Sequence, residues 1–403
     1  MNARRVQELL RRGVVLPVPE SVEIGEEVNL ERIAPGVVIH PGCRVRGART
    51  SMGPGSVLGR EAPLTLEDCQ LGHGVELRGG YCAGSTFLDG VQVGSSAHIR
   101  PGTLLEEQAS CAHAVGLKQT VFLAFVVTGS LANLCDLLVA GGRSRREHTE
   151  IGSSYVHFNF TPHNDKATAS LVGDVPQGVF YDRPPIFLGG QGGLVGPARI
   201  AYGVVVPAGL VWRGDALEPD TMVAVPPSAV GQTRPFVRGA YRSIRRVVHA
   251  NLMYIGNILA LRAWYRQVRA PFMSADPYRR ACWEGALERL DEIFRERIQR
   301  LEELAGKMEM SIHLARTDPR CALPEGLLDE QQRLAALWPT MRAKLETMDV
   351  DPAPAALLDA VTAAAAQSWP EVVATIPEPV RDQGRAWLQR VVDRCTALWT
   401  TVR

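Results

Sequence analysis

An apolar residue or a cysteine recurs at every sixth position from Phe87 onward. These residues stand at 87, 93, 99, 105, 111 and 117, and a small or β-branched residue follows each of them four places later. A period of six fits neither the 3.6 residues of a helical turn nor the two-residue alternation of a simple strand. Each hexad is therefore predicted to be a short strand followed by a turn. The same phase recurs from Ile33, in IAPGVV, IHPGCR and VRGART.

Three such sides close one coil of a triangular prism. The large residue of each hexad then points inward and stacks on its equivalents in the coils above and below, while the small residue fits near the corner. The 38 Gly and 27 Pro supply turns. A β-sandwich of short strands would not need one register to persist through six consecutive hexads. The sequence therefore predicts a parallel β-helix.

The hexads resemble the left-handed parallel β-helix of the hexapeptide-repeat acyltransferases, over roughly residues 20 to 225. This resemblance implies a mainly β fold and a homotrimer whose active sites lie between neighbouring prisms. The domains expected are an N-terminal helix (1–20), a left-handed β-helix domain (21–225) and an α-helical C-terminal domain (226–403).

Within that superfamily, the segment VGSSAHIRPGTLLEEQASCAHAVGLKQT is similar to a stretch of the acetyltransferase half of the bacterial bifunctional N-acetylglucosamine-1-phosphate uridyltransferases. The resemblance implies that Arg100 and Lys118 hold the phosphate of an acceptor sugar phosphate or nucleotide sugar, and that acetyl-CoA is the co-substrate. Positions eighteen apart are separated by one coil. The repeat itself therefore predicts that these two side chains stack on one side of the prism and share a phosphate.

Three later segments follow the order of motifs in the same family. They are GSLANLCD (129–136), TEIGSSYVHFNF (149–160) and KATASLVGD (166–174). Asn159 and Phe160 fall on the Asn-Tyr pair that the family places beside the acceptor and the coenzyme. Lys166 is expected to face a phosphate of the coenzyme or nucleotide.

The likeness fails at the catalytic base. The family has a histidine where this chain has Leu134, and an alkyl side chain cannot accept a proton. By elimination His157 becomes the candidate base, two residues before Asn159, with His148 and His163 as further candidates. Two segments, 141–148 and 175–185, have the character of inserted loops. The family's nucleotidyltransferase domain has no counterpart here, which makes uridylyl transfer an unexpected activity.

Three functions remain open from the sequence. The first is acyl transfer, and the second is a binding or scaffolding β-helix that has lost the base. The third, a β-helix carbonic anhydrase, would need histidines at metal spacing, which positions 148, 157 and 163 do not obviously provide. The eight cysteines are scattered without a CxxC motif, so no metal site is predicted.

The balance of charged residues argues against nucleic acid and membranes as binding partners. Lys plus Arg number 44 and Asp plus Glu number 43, so no net field attracts nucleic acid or an anionic membrane. No run of apolar residues is long enough for a membrane span, and the N-terminus lacks the apolar core of a signal peptide. A cytoplasmic location is expected.

The periodicity changes after a Pro-rich linker at 219–235. Apolar spacing predicts a helix from Tyr241 to about Ala270. A second helix is expected to begin after an Asp276 cap, with Pro277 in its first turn, and to end at Gly306. Further helices are expected, with breaks at Pro324, Pro339, 352–354 and 377–379. These helices should bury their apolar stripe against the prism or a neighbouring subunit.

Overall fold

The strands form one long coil. The computed structural model describes residues 2–156, 163, 166–224, 236–364 and 368–400. In chain order the strands are β1 (Glu23–Ile24), β2 (Val38–Ile39), β3 (Arg44–Arg46), β4 (Ser51–Met52), β5 (Val57–Leu58), β6 (Leu64–Glu67), β7 (Gln70–Leu71), β8 (Glu76–Leu77), β9 (Gly80–Ala83), β10 (Ser85–Phe87), β11 (Gln92–Val93), β12 (Ala97–Ile99), β13 (Thr103–Leu105), β14 (Ser110–Cys111), β15 (Gly116–Phe122), β16 (Val127–Thr128), β17 (Asn133–Val139), β18 (Gly142–Ser144), β19 (Glu147–His148), β20 (Glu150–Ile151), β21 (Tyr155–Val156), β22 (Ser170–Val172), β23 (Phe187–Leu188), β24 (Gly193–Val195), β25 (Arg199–Ile200), β26 (Val205–Val206) and β27 (Val211–Arg213).

These strands stack in parallel on three faces. The first face contains β2, β5, β8, β11, β14, β16, β20, β23 and β26. The second contains β1, β3, β6, β9, β12, β21, β24, β27 and the first halves of β15 and β17, and the third contains β4, β7, β10, β13, β22, β25 and the second halves of β15 and β17. The parallel β-helix predicted from the hexads is confirmed, whereas its left-handed sense stays a prediction.

The core of the prism is a set of inward-facing columns. On the second face, Ile99 pairs with Leu117, and Leu117 pairs with Leu134. All three side chains are fully buried. Each coil thus covers the apolar residues of the next, which is how hexads too short to fold alone become stable.

Both segments expected to be insertions leave the coil. Within 141–148, strands β18 and β19 pair as an antiparallel hairpin. Within 175–185 lies a short helix, α2 (Val175–Gly178), and Asp174 caps it by accepting a hydrogen bond from the Gln177 amide.

Helices dominate the remainder of the chain. An N-terminal helix, α1, spans Asn2–Arg11. The C-terminal helices are α3 (Arg245–Ala263), a π-helical turn (Trp264–Arg269), α4 (Ala270–Ser274), α5 (Pro277–Gly306), α6 (Met308–Thr317), α7 (Glu325–Glu346), α8 (Ala355–Ala363), α9 (Trp369–Thr375) and α10 (Glu378–Thr400).

The predicted limits of α5 are confirmed, with the Asp276 carboxylate accepting hydrogen bonds from the amides of Tyr278 and Arg279. The predicted break at Pro339 is wrong, because this proline lies inside α7. A proline in a helix removes one hydrogen bond and crowds the preceding turn. Here the adjoining Trp338 and Met341 are buried in a stripe that packs against the other helices, and this burial offsets the loss.

Helix α5 covers the third face of the prism. It contacts β4, β7, β10 and β13, which belong to successive coils, so it runs along the prism axis. Outward residues of this face, such as Gln70 and Thr86, are consequently buried. The approach is close at Gly285, where a Cβ atom would lie 2.1 Å from Gln70 Oε1. The helical region therefore packs against the prism of its own chain.

A buried ionic cluster anchors this contact. Arg269, at the end of the π-helical turn, pairs with Glu106 at 3.1 Å and also with Glu107, and all three side chains are buried. The hydroxyl groups of Tyr265 and Tyr181 donate to the Glu106 carboxylate. One guanidinium can neutralise only one of the two carboxylates.

Candidate functional site

The stacking predicted for Arg100 and Lys118 is present in the fold. Ile99 pairs with Leu117, and the Arg100 amide donates to the Leu117 carbonyl at 2.9 Å. Arg100 and Lys118 therefore occupy equivalent positions in adjacent coils, at the edge of the second face, and both are half-buried. Adjacent strands lie about 4.8 Å apart, so one phosphate can contact both side chains. We call these two residues the cation pair.

The next residue in this column is Cys135, which pairs with Lys118 in the strand register. Arg100 Nη2 lies 3.7 Å from the Cys135 sulfur. Burial and the neighbouring Asp136 carboxylate raise the pKa of Cys135, against the opposing charges of Arg100 and Lys118. The thiol is thus held protonated, and it lines the cation pair without being an activated nucleophile.

Leu134 points away from this site. Its side chain is fully buried and stacks on Leu117 inside the prism. The outward-facing neighbours are Asn133 and Cys135, on either side of it. The position where the family has its base is therefore part of the hydrophobic core in this chain.

Of the histidine candidates, two are in the described part of the chain. His163 Nδ1 accepts a hydrogen bond from the Gly239 amide at 3.0 Å, and its ring packs against Phe236 and Tyr241. His148 Nδ1 lies 2.9 Å from the Arg145 carbonyl within the hairpin. Both imidazoles have local structural partners. His157, Asn159 and Phe160 lie outside the described residues, so their roles stay predictions.

Helix α5 reaches this site through Arg297. Its Nη2 atom lies 2.8 Å from Asp136 Oδ1, and Nη1 lies 3.4 Å from the Lys166 carbonyl oxygen. Arg297 is almost fully buried, whereas the Lys166 side chain is exposed. Asp136 and Lys166 both have left-handed backbone, with φ angles of 51° and 48°. An α5 side chain therefore holds two parts of the prism beside the cation pair.

Glu296 brings a negative charge to the same place. Burial opposes its ionisation, but hydrogen bonds from Arg300 and the charges of Arg300, Arg297 and Lys118 lower the pKa of Glu296. Neither Glu296 nor Arg297 was identified from the sequence. Arg297 lies 161 residues from Asp136, and nothing in the hexads indicates which helix covers this corner.

A second concavity lies at another corner of the prism. It is a cavity of about 430 Å³ between the last coils, the α2 insertion and Met253 of α3. Its lining is largely apolar but includes Arg183 and the carboxyl group of Asp174. Burial raises the pKa of Asp174 to about 6.

The described part of the chain has neither a cluster of metal-binding side chains nor a helix that could cross a membrane. Residues 2–156, 163, 166–224, 236–364 and 368–400 contain no cluster of three or more His, Cys, Asp or Glu side chains that could hold a metal ion. Within the same ranges, the helices are all too short or too polar to cross a membrane.

Comparison with known proteins gives one consistent similarity. No protein-family model matches the sequence. The chain is 27% identical over 235 residues to the bifunctional protein GlmU of Thermotoga petrophila. The aligned region covers 58% of this chain and 45% of that protein. It is 27% identical over 227 residues to the protein of the same name from Trichlorobacter lovleyi, covering 56% of this chain and 44% of that protein. With GlmU of Kineococcus radiotolerans it shares 28% identity over 214 residues, which cover 53% and 39% of the two chains.

The chain thus spans less than half the length of these relatives. The resemblance inferred from the hexads is confirmed. The repeat, the parallel coil and these similarities support a relationship of the chain to the hexapeptide-repeat acyltransferase superfamily, near the GlmU proteins.

Proposed function

We propose that this protein transfers an acetyl group from acetyl-CoA to an amino or hydroxyl group of a sugar phosphate or nucleotide sugar. The observation that carries the proposal is the cation pair. Arg100 and Lys118 stand in adjacent coils on one column, so a phosphate monoester or diphosphate can accept hydrogen bonds from both. Among hexapeptide-repeat proteins, this pair matches the acceptor-binding arginine and lysine that the resemblance implies.

The resemblance supports the roles of Asn159 and Phe160, whereas His157 is the base by elimination, because the family's base position is Leu134 in this chain. His157 accepts the proton as the acceptor nitrogen or oxygen attacks the thioester carbonyl, and the C–S bond of the intermediate then breaks to release coenzyme A. Asn159 orients the acceptor or polarises the thioester, while Phe160 and Lys166 contact the substrates. The protein acts in the cytoplasm.

A homotrimer is part of the same proposal. Because helices cover the third face, a neighbouring prism can approach only the first or second face. The second face carries exposed apolar side chains at Tyr155 and Val211, and Leu131 lies at its border with the first face. Light scattering after size-exclusion chromatography measures the oligomeric state directly.

A second candidate function is a binding or scaffolding module that holds a nucleotide sugar without reacting. The observation that favours it is the burial of Leu134 in the core, because no side chain at that position can reach a substrate. In this case the cation pair still binds phosphate, and the chain releases no coenzyme A.

The two functions are separated by one pair of measurements. Coenzyme A release is followed with acetyl-CoA and glucosamine 1-phosphate or UDP-N-acetylglucosamine, and binding of each acceptor is measured by calorimetry. Arg100→Ala and Lys118→Ala should each weaken acceptor binding about tenfold or more, because each removes a charge-assisted hydrogen bond.

Arg46→Ala is the matched control. Arg46 lies on the same face as the cation pair but several coils away from it, and it pairs with Glu23. Binding of a nucleotide sugar without any response to coenzyme A or acetyl-CoA would reject acetyl transfer and favour the binding module. Turnover that survives His157→Ala would reject only the choice of base.

A further inference from the structure

Helix α5 follows the corner between the second and third faces, where the cation pair lies. A Cβ atom on Gly84 would lie 2.9 Å from Arg289 Nη1, and the Glu292 carboxylate faces the Gly102 amide. One coil further on Glu296 approaches Lys118, and Arg297 then reaches Asp136. An α-helical turn advances about 5.4 Å and a coil about 4.8 Å, so α5 presents roughly one side chain to each successive corner.

Arg297 differs from its neighbours on α5 because it joins two separate segments of the prism. It is 1% exposed, and its two terminal nitrogens contact the Asp136 carboxylate and the Lys166 carbonyl. A non-glycine residue in left-handed backbone costs about 1–3 kcal/mol and persists where its surroundings determine it. Both contacted residues have this conformation. The planar guanidinium makes the two contacts through two nitrogens held in a rigid fork, a geometry that a lysine ammonium group does not have.

The position of Asp136 bears directly on phosphate binding. Its carboxylate follows Cys135, whose neighbour in the register is Lys118. A carboxylate that was released from Arg297 could turn toward the Lys118 ammonium and compete with an incoming phosphate. Pairing with Arg297 keeps it on the side of α5.

Resting on the function proposed above, we propose that Arg297 is a positioning residue of the phosphate site. It holds the Asp136 carboxylate away from Lys118 and fixes the backbone of Lys166, so that the cation pair stays open to the acceptor. The helical C-terminal region thereby completes the acceptor site of its own chain, in cis.

The test compares Arg297→Lys and Arg297→Met with Arg289→Met. Arg289 is an equally buried arginine of α5 that lies beside Gly84, so its loss reports the cost of removing a buried arginine from this interface. We expect both Arg297 variants to raise the KM for glucosamine 1-phosphate about tenfold with kcat less affected, because the acceptor site is disturbed and the thioester chemistry is not. Arg289→Met should lower the melting temperature while KM stays within about twofold of wild type. A folded Arg297→Met protein with wild-type KM would overturn the proposal.

A second measurement needs no substrate. Of the cysteines in the described part of the chain, Cys135 and Cys321 are the two that are not fully buried. Their alkylation by iodoacetamide is followed by mass spectrometry across pH, with Cys321 as the internal reference.

Loss of the Arg297 charge leaves Asp136 less compensated, so the apparent pKa of Cys135 should rise in Arg297→Met and stay unchanged in Arg289→Met. If wild type turns over no acceptor, the proposed function fails, and the Cys135 profile still decides on Arg297. An identical Cys135 profile in wild type and Arg297→Met would refute its positioning role.

Discussion

Glu107 makes the contact between the helices and the prism sensitive to pH. It is fully buried with Glu106, and Arg269 is the guanidinium that contacts both carboxylates. Burial and, to a smaller extent, the charge of Glu106 raise the pKa of Glu107 to about 7, against the opposing effect of Arg269. The Glu107 carboxyl group therefore keeps its proton at mildly acidic pH.

The direction of the effect follows from proton linkage. Between the ordinary glutamate value of 4.5 and about 7, the folded protein keeps a proton that the unfolded chain has released. The free energy of unfolding should therefore decrease as pH rises through this window. One carboxyl group with this difference accounts for about 3 kcal/mol at most. Glu107→Gln keeps a hydrogen-bonding side chain of the same size and removes the titration.

Urea unfolding at pH 5 and pH 7.5 measures this difference. Tryptophan fluorescence reports on the helical region, where Trp264, Trp369 and Trp387 are fully buried. We expect the free energy of unfolding of wild type to decrease relative to that of Glu107→Gln by about 2–3 kcal/mol between the two pH values. Glu150→Gln, at an exposed glutamate of the first face, should leave the wild-type dependence unchanged. Identical pH dependence in wild type and Glu107→Gln would refute the raised pKa of Glu107.

Three further variants test packing, register and a second titration. Gly285→Val should destabilise the protein by about 1–3 kcal/mol in thermal unfolding, because the valine side chain would clash with Gln70. As a control, Gly306→Ala on the same helix meets no atom within 4 Å and should be neutral or stabilising. Leu134→His should cost about 3–5 kcal/mol in urea unfolding and give no gain in coenzyme A release, since the imidazole would be buried inside the prism; an active, stable variant would show that position 134 faces the substrate. The raised pKa of Asp174 should make the protein less stable as pH rises from about 4 to 6. Asp174→Asn keeps the cap of α2 and should remove this part of the pH dependence, which melting temperatures across that range measure.

The repeat was readable from the sequence because every coil must bury a residue of the same kind at the same place. It fails where a coil changes length. Arg100 and Lys118 are eighteen residues apart and stack as predicted, but Leu117 pairs with Leu134, seventeen residues on. A strict period of six would have placed Cys135 inside the prism and Leu134 outside it. A shift of one residue exchanges the two sides of a strand, so the hexads alone could not fix which residue faces the site.

The helical region shows a similar division. The limits of α5 depend on a local cap, and the sequence contains that cap in Asp276 and Pro277. The continuity of α7 through Pro339 depends on partners elsewhere in the chain, as does the contact between Arg297 and Asp136. Such long-range contacts have no periodic pattern in the sequence. The sequence therefore predicts Arg100 and Lys118 but does not predict that Arg297 lies beside them.

The path of α5 along the prism axis determines how the prism and the helix could be lengthened together. One added coil lengthens the prism by about 4.8 Å, and one added helical turn lengthens α5 by about 5.4 Å. The mismatch is only about 0.6 Å per step. Because a turn contains 3.6 residues, inserting eighteen residues into the solenoid and four into α5 would extend them by about 4.8 Å and about 6.0 Å, a difference of about 1.2 Å. This protein offers a template for building β-solenoids of chosen length that are braced by a helix of the same chain.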